Sequence, residues 1–247
     1  MSDDRVLLKA VDVSVGYGEK PVLQHVNMEI NRGEIVALLG GSGCGKSTIM
    51  RSLGGLVPPL AGEVFLFGES IYKLLPEQRD KLRKRIGFAF QQDALFSSMT
   101  IEDNVALPLR ELTKLPDDVI KEMVRMRLAL VGLDNLGRRQ PANISGGQRK
   151  RAALARASIL DPEIIFCDEP TAGLDPVLAA EVDNTLVKFR DALGSSVVVV
   201  SHELESIRAT ADRCLMFAKG KLAATGTLDE LEHSRDETVH QFFHARQ

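Results

Sequence analysis

The sequence predicts an α/β fold in which buried strands alternate with helices around a glycine-rich loop, with a helical block inserted mid-chain. Three observations predict it. Short, wholly apolar runs at Ile35-Val36-Ala37-Leu38-Leu39, Ile164-Ile165-Phe166-Cys167 and Val197-Val198-Val199-Val200 have the character of strands covered on both faces, as in parallel sheets. Each run leads into a segment with helical spacing or composition. From residue 100 to about 132 the apolar period becomes that of a helix, which interrupts the alternation.

In chain order, Val6 to Val15 and Val22 to Ile30 are β-prone runs joined by the turn-like Gly16-Tyr17-Gly18-Glu19-Lys20-Pro21. Asn31-Arg32-Gly33-Glu34 is a tight turn before the strand Ile35 to Leu39. Lys46 to Leu53 is a helix stopped at Gly54-Gly55. Gly62 to Phe67 is a strand, Pro76 to Arg85 a short basic helix, and Ile86 to Phe90 an apolar strand running into Gln91-Gln92-Asp93. Ile120, Met123, Val124, Arg127, Leu128 and Val131 recur at helix spacing, and about Gln91 to Arg156 is expected to form a helical subdomain within one domain, 1–247. Arg149 to Ile159 is helical by its Ala, Arg and Leu content. A helix from about Pro176 to Leu193 carries Leu178, Val182, Leu186, Phe189 and Leu193 on one face. Beyond Ser201-His202 come a helix from Leu204, a strand near Cys214 to Ala218 and a turn at Lys219-Gly220-Lys221. The tail, 227–247, reads as two short helices with Phe242-Phe243 near its end.

The loop at the centre is Gly40-Gly41-Ser42-Gly43-Cys44-Gly45-Lys46-Ser47-Thr48, and it fits the phosphate-loop pattern at Gly40, Gly45, Lys46 and Ser47. Glycines let the backbone wrap closely enough for its N–H groups to face phosphate oxygens. The helix that begins here turns its positive end to the same anion. Lys46 supplies a charge for the β- and γ-phosphates, and the Ser47 hydroxyl suits Mg²⁺. Tyr17 is, from spacing alone, a half-buried aromatic at a strand end; the alternative is an aromatic face stacked on adenine.

Composition bounds the rest. Apolar residues are 44% and charged residues 26% of the 247, as in ordinary globular proteins. A net charge of −3 gives no general attraction to nucleic acid. No apolar run reaches bilayer length, and Met1-Ser2-Asp3-Asp4-Arg5 has neither the basic start nor the apolar core of a leader. Three cysteines at unrelated spacings argue against a disulfide framework and fit a cytosolic protein.

Two further clusters carry chemistry. Asp168-Glu169 follows four apolar residues, where the carboxyl ends of parallel strands gather ligands. One carboxylate there can hold a metal through water and its neighbour can deprotonate an attacking water. Ser145-Gly146-Gly147-Gln148 opens the helix that follows; it is either a second anion site or only a helix start with a capping serine.

Taken with Gln91, Ile144-Ser145-Gly146-Gly147-Gln148, Ala172-Gly173-Leu174-Asp175 and Ser201-His202, these stretches resemble, in order and over nearly the whole chain, the nucleotide-binding subunit of ABC transporters. The departures are small: Ile144 stands where leucine is usual, and Gly41 and Cys44 where other residues are common, at positions that contribute mainly backbone. The resemblance implies a phosphate-loop NTPase fold with a mixed central sheet, an N-terminal antiparallel β part and an inserted helical subdomain. It also implies ATP and Mg²⁺ as ligands. By resemblance Tyr17 stacks on adenine, Lys46 binds phosphate, and Ser47 and Gln91 sit at Mg²⁺ with Asp168 in its outer shell. Glu169 is the general base and His202 meets the γ-phosphate. Two copies pair head to tail, so that Ser145, Gly146, Gly147 and Gln148 of one close on the ATP of the other, with Asp175 across the interface.

The wording of Phe90 to Glu111, and of the tail through Gly226-Thr227-Leu228-Asp229-Glu230-Leu231 to Val239-His240-Gln241-Phe242-Phe243, is similar to the ATPases of Mce-type phospholipid transport systems. That resemblance implies a multispan permease, a periplasmic lipid-binding Mce-type protein and an accessory subunit as partners. The place it implies is the cytoplasmic face of the inner membrane. ATPases of amino-acid importers and of lipoprotein release share most of these features. A soluble ABC ATPase of translation or repair would carry tandem cassettes or a coiled-coil insertion, and a phosphate-loop kinase or GTPase would lack Ser145-Gly146-Gly147-Gln148. The basic run Arg79, Lys81, Arg83, Lys84 and Arg85 is a solvated helix face or a contact for an anionic leaflet.

Overall fold

The computed structural model describes residues 5–244, so Met1-Ser2-Asp3-Asp4, on which the leader expectation rests, and the last three residues of the tail lie outside it. Two sheets meet over a shared core. The smaller is antiparallel, in the order β2-β1-β4-β5, from β1 (Val6–Tyr17), β2 (Lys20–Asn31), β4 (Ala61–Leu66) and β5 (Glu69–Ser70). The larger has the order β10-β9-β3-β8-β7-β6 and uses β3 (Ile35–Gly40), β6 (Ile86–Ala89), β7 (Ile164–Asp168), β8 (Ser196–Val200), β9 (Arg213–Ala218) and β10 (Lys221–Gly226). Its strands are parallel except β10, which returns antiparallel on β9, so the sheet is mixed.

The apolar strands explain the layering. Successive side chains of a strand point to opposite faces. Ile35, Ala37 and Leu39 therefore enter a core with the long helices, while Val36 and Leu38 enter the core shared with the smaller sheet. Val197 and Val199 against Val198 and Val200, and Ile165 and Cys167 against Ile164 and Phe166, divide in the same way. A strand so placed has no polar side, which is why these runs show no alternation.

The helices are α1 (Lys46–Leu53), α2 (Pro76–Arg83), α3 (Ile101–Leu112), α4 (Asp117–Leu130), α5 (Gly146–Ser158), α6 (Pro176–Leu193), α7 (Leu204–Thr210), α8 (Leu228–Glu232) and α9 (Glu237–His244). α3, α4 and α5 lie between β6 and β7 in sequence and pack on one another through Val105, Ile120, Val124, Leu128 and Leu154. The helical stretch read from residue 100 to about 132 is two helices, because Leu115 precedes Pro116, and a residue before proline is pushed out of the helical region. Pro108 stays inside α3. β1 and β2 run further than the β-prone cores of their sequences, since ladder pairing carries them to Tyr17 and Lys20 around Gly18 at φ +57°. β5 and β10 have no signature of their own and exist through pairing with β4 and β9.

Candidate ATP site and its place among known proteins

Strand order assembles the site. β3, β8, β7 and β6 are spatial neighbours running parallel, and from their carboxyl ends the chain enters, in turn, the phosphate loop, Ser201-His202, Glu169 and Gln91. In open α/β sheets ligands gather at that edge.

The loop residues form a cradle. Gly40, Gly43 and Gly45 have φ of +145°, +73° and +99°. A Cβ on Gly40 would come 2.4 Å from the Phe217 carbonyl oxygen and 2.7 Å from Cys44 Sγ, so only glycine lets the backbone pass. Lys46 is buried, and its ammonium donates to the carbonyls of Gly40 (2.9 Å) and Gly41 (3.0 Å), with Cys44 Sγ at 3.9 Å. Gly41, Ser42 and Gly43 are the loop's exposed crest. The Thr48 hydroxyl donates to Tyr17 Oη (2.9 Å), which brings the tyrosine to the loop from the other sheet. Tyr17 is 69% exposed, so one ring face is open for stacking rather than half-buried at a strand end.

Ser47 Oγ donates to Asp168 Oδ1 at 2.8 Å, and Asp168, 3% exposed, also has Arg51 within 3.9 Å. Glu169 is held from both sides: Gln91 Nε2 donates to Oε2 (2.9 Å) and His202 Nε2 stands 2.7 Å from Oε1. Its backbone has φ +49°, a region that L-residues enter only when their surroundings fix them, and its N–H is tied to the Val200 carbonyl at 2.9 Å. Lys46, Ser47, Gln91, Asp168, Glu169, His202 and, through Thr48, Tyr17 are thus one constellation. A hydroxyl, a carboxylate and an amide oxygen are hard oxygen donors, the set that Mg²⁺ prefers.

Ser145-Gly146-Gly147-Gln148 is not part of it. Ser145 caps α5, accepting from Gln148 N (3.2 Å) while its own N–H donates to Gln148 Oε1 (2.9 Å). Gly147 packs on Leu178 of α6. Asp175 caps α6, accepting at one oxygen from Val177 N and Leu178 N. Ser145 and Asp175 are both exposed, and no hydrogen bond among the described residues joins either to the phosphate loop.

Three residues that sequence reasoning passed over approach Gln91 from behind: Asp93, Lys150 and Arg156. Their marks in the sequence are an aspartate two residues after Gln91 and, for Lys150 and Arg156, membership of a four-cation set (Arg149, Lys150, Arg151, Arg156) on a helix otherwise rich in buried alanine.

Residues 23–172 match the family model described as ABC transporter. The chain belongs to that family. It is an ABC ATPase by fold and by relatives. It is 37% identical over 236 residues to the intermembrane phospholipid transport system ATP-binding protein MlaF of Haemophilus influenzae, covering 96% of this chain and 89% of that protein. To MlaF of Escherichia coli K12 it is 38% identical over 231 residues, 94% of this chain and 86% of the relative. Among solved structures, the dimeric ATP-binding cassette MJ0796 in a post-hydrolysis state with ADP and Pi superposes with a TM-score of 0.82 at 31% identity, covering 90% of this chain and 99% of that one.

Proposed function

We propose that this ABC ATPase hydrolyses ATP to drive phospholipid transport across the cell envelope through a separate multispan permease. The observation that carries the chemistry is the Glu169 carboxylate, gripped by Gln91 and His202 beside the Ser47–Asp168 pair. Lys46 and the loop N–H groups hold the phosphates, and the ring of Tyr17 lies against adenine. Ser47, Gln91 and Asp168 would hold Mg²⁺, which when bound neutralises charge on the phosphate oxygens. Glu169 accepts the proton of the attacking water, and His202 orients that carboxylate and meets the γ-phosphate.

Two copies work head to tail. Ser145 and Gly147 at the start of α5 have no hydrogen bond to their own loop, which leaves the hydroxyl and the helix N-terminus for the partner's nucleotide. The solved relative in its ADP-bound form is a dimer, which supports the same arrangement. Closure satisfies the γ-phosphate from both chains, and hydrolysis removes that bond between them.

A groove of about 410 Å³ beside the Gln91 segment suits the permease. Phe88, Phe90, Phe96 and Pro108 line it, with Arg83 and Arg156 at its edge, and Phe96 is half exposed. Among the described residues no helix is long and apolar enough to cross a membrane. The place proposed for the chain, at the cytoplasmic face of the inner membrane on its permease, is supported by its membership of the ABC transporter family. The MlaF relatives, named for intermembrane phospholipid transport, support a lipid substrate, and a periplasmic Mce-type protein and an accessory subunit complete the proposed system. Purification of the tagged full chain from detergent extract tests this: a multispan permease and a lipid-binding periplasmic protein should accompany it. Recovery only with ribosomes or DNA would overturn it.

A further inference from the structure

A lysine buried inside the helix that opens with Ser145 needs a reason. Lys150 is 9% exposed, and an ammonium taken out of water is costly unless paired. It donates to the Gln91 carbonyl and lies 3.2 Å from Asp93 Oδ1. Two turns further along α5, Arg156 donates to the carbonyls of Asp93 (3.1 Å) and Ala94 (2.7 Å). Arg149 Nε is 3.6 Å from Asp93 Oδ2. One helix therefore holds three of four consecutive residues, 91–94, by their main-chain oxygens. Asp93 and Ala94 both lie in the left-handed region, at φ +59° and +51°, and neither is glycine. Such a pair persists where surrounding contacts over-determine it.

We propose that Lys150 is a positioning residue: by fixing the Gln91 main chain to α5, it sets where the Gln91 amide meets Glu169. The tilt of α5, which Ser145 caps, then bears on the geometry of the carboxylate through Lys150 at Gln91, with Arg156 holding residues 93 and 94 beside it. The compact ammonium hydrogen-bonds the Gln91 carbonyl and stands in ion-pair range of the Asp93 carboxylate, whose buried Oδ1 accepts no hydrogen bond among the described residues, where the wider guanidinium would demand a different spacing. The inference rests on the reading of Glu169 as the base.

The test uses the full chain with Lys150→Met, Lys150→Arg, Asp93→Asn and Glu169→Gln. Amide exchange of residues 92–95 is expected to speed by about tenfold in Lys150→Met and in Asp93→Asn, with exchange in β3 and β7 unchanged. In Lys150→Met kcat should fall by about tenfold with KM for ATP within about threefold, and Lys150→Arg should recover only part of the loss. Unchanged exchange at 92–95, or a wild-type kcat beside faster exchange, overturns the positioning role. Global loss of protection in both Lys150→Met and Asp93→Asn also overturns it, since the link is then only structural. A Glu169→Gln variant with wild-type turnover instead brings down the assignment of the base, and the exchange result still decides whether Lys150 anchors the segment.

Discussion

Replacing Glu169 by Gln isolates the proton-accepting step, because the substitution keeps the shape of the site. The carboxylate now accepts from Gln91 Nε2 at one oxygen and faces His202 Nε2 at the other. An amide can keep the first bond through its oxygen and turn its N–H₂ to His202, whose neutral ring accepts in the other tautomer. Neither side need move, and the tie from Glu169 N–H to the Val200 carbonyl is main chain and survives. What is lost is basicity, worth about 10²–10⁴-fold in rate. That range corresponds to roughly 2.7–5.4 kcal/mol on the barrier. Removing one negative charge beside the site of the γ-phosphate should also favour the ATP-bound state. The expected result is slow single-turnover phosphate release, ATP affinity at or above wild type, and a dimer that persists on gel filtration in Mg-ATP. Repeated turnover at the wild-type rate would show that proton transfer does not run through Glu169.

Gly40→Ala should weaken ATP binding at least about tenfold in equilibrium titration, since its φ of +145° and the 2.4 Å approach to the Phe217 oxygen leave a methyl no room; wild-type affinity would contradict the cradle. Phe189, fully buried in α6, should cost about 3–5 kcal/mol when cut to Ala, read from urea unfolding. The Asp183 carboxyl is pushed above its ordinary value by burial, opposed by the hydrogen bond from Ser206 Oγ (2.5 Å) and reinforced by the nearby Glu203. A carboxyl whose folded pKa is raised favours folding most when protonated, and that contribution is lost as pH rises through its folded value. Asp183→Asn should therefore raise Tm at neutral pH and lose this advantage in acid, below the ordinary carboxylate value. A Tm difference that is the same in acid and at neutral pH would contradict it.

Much of the architecture can be read from the chain because it rests on short-range rules. An all-apolar run such as Val197 to Val200 is intelligible only as a strand covered on both sides, and Gly45-Lys46-Ser47 marks the start of α1 to the residue. The break at Thr113 to Pro116 was less legible, because the apolar spacing continues across it while the backbone cannot. β10 was not legible at all: Lys221 to Gly226 is half-exposed and weakly apolar, and only the neighbouring edge of β9 makes it a strand. For Tyr17, spacing favoured a half-buried strand end, and the bond from Thr48 with an exposed ring puts it beside the loop instead.

By itself the sequence determined the parts: the glycine cradle with its lysine, the carboxylates after an apolar strand, and the capped start of α5, each a matter of residues close together in the chain. Tertiary structure alone decided that Gln91, Glu169 and His202 touch, since they are far apart in sequence and meet only because β6, β7 and β8 lie side by side in register. It also decided that Lys150 lies behind Gln91. A local pattern reports what a segment can form, whereas the strand order of a sheet and the packing of α5 against it arise from burying apolar faces that no single segment can cover alone.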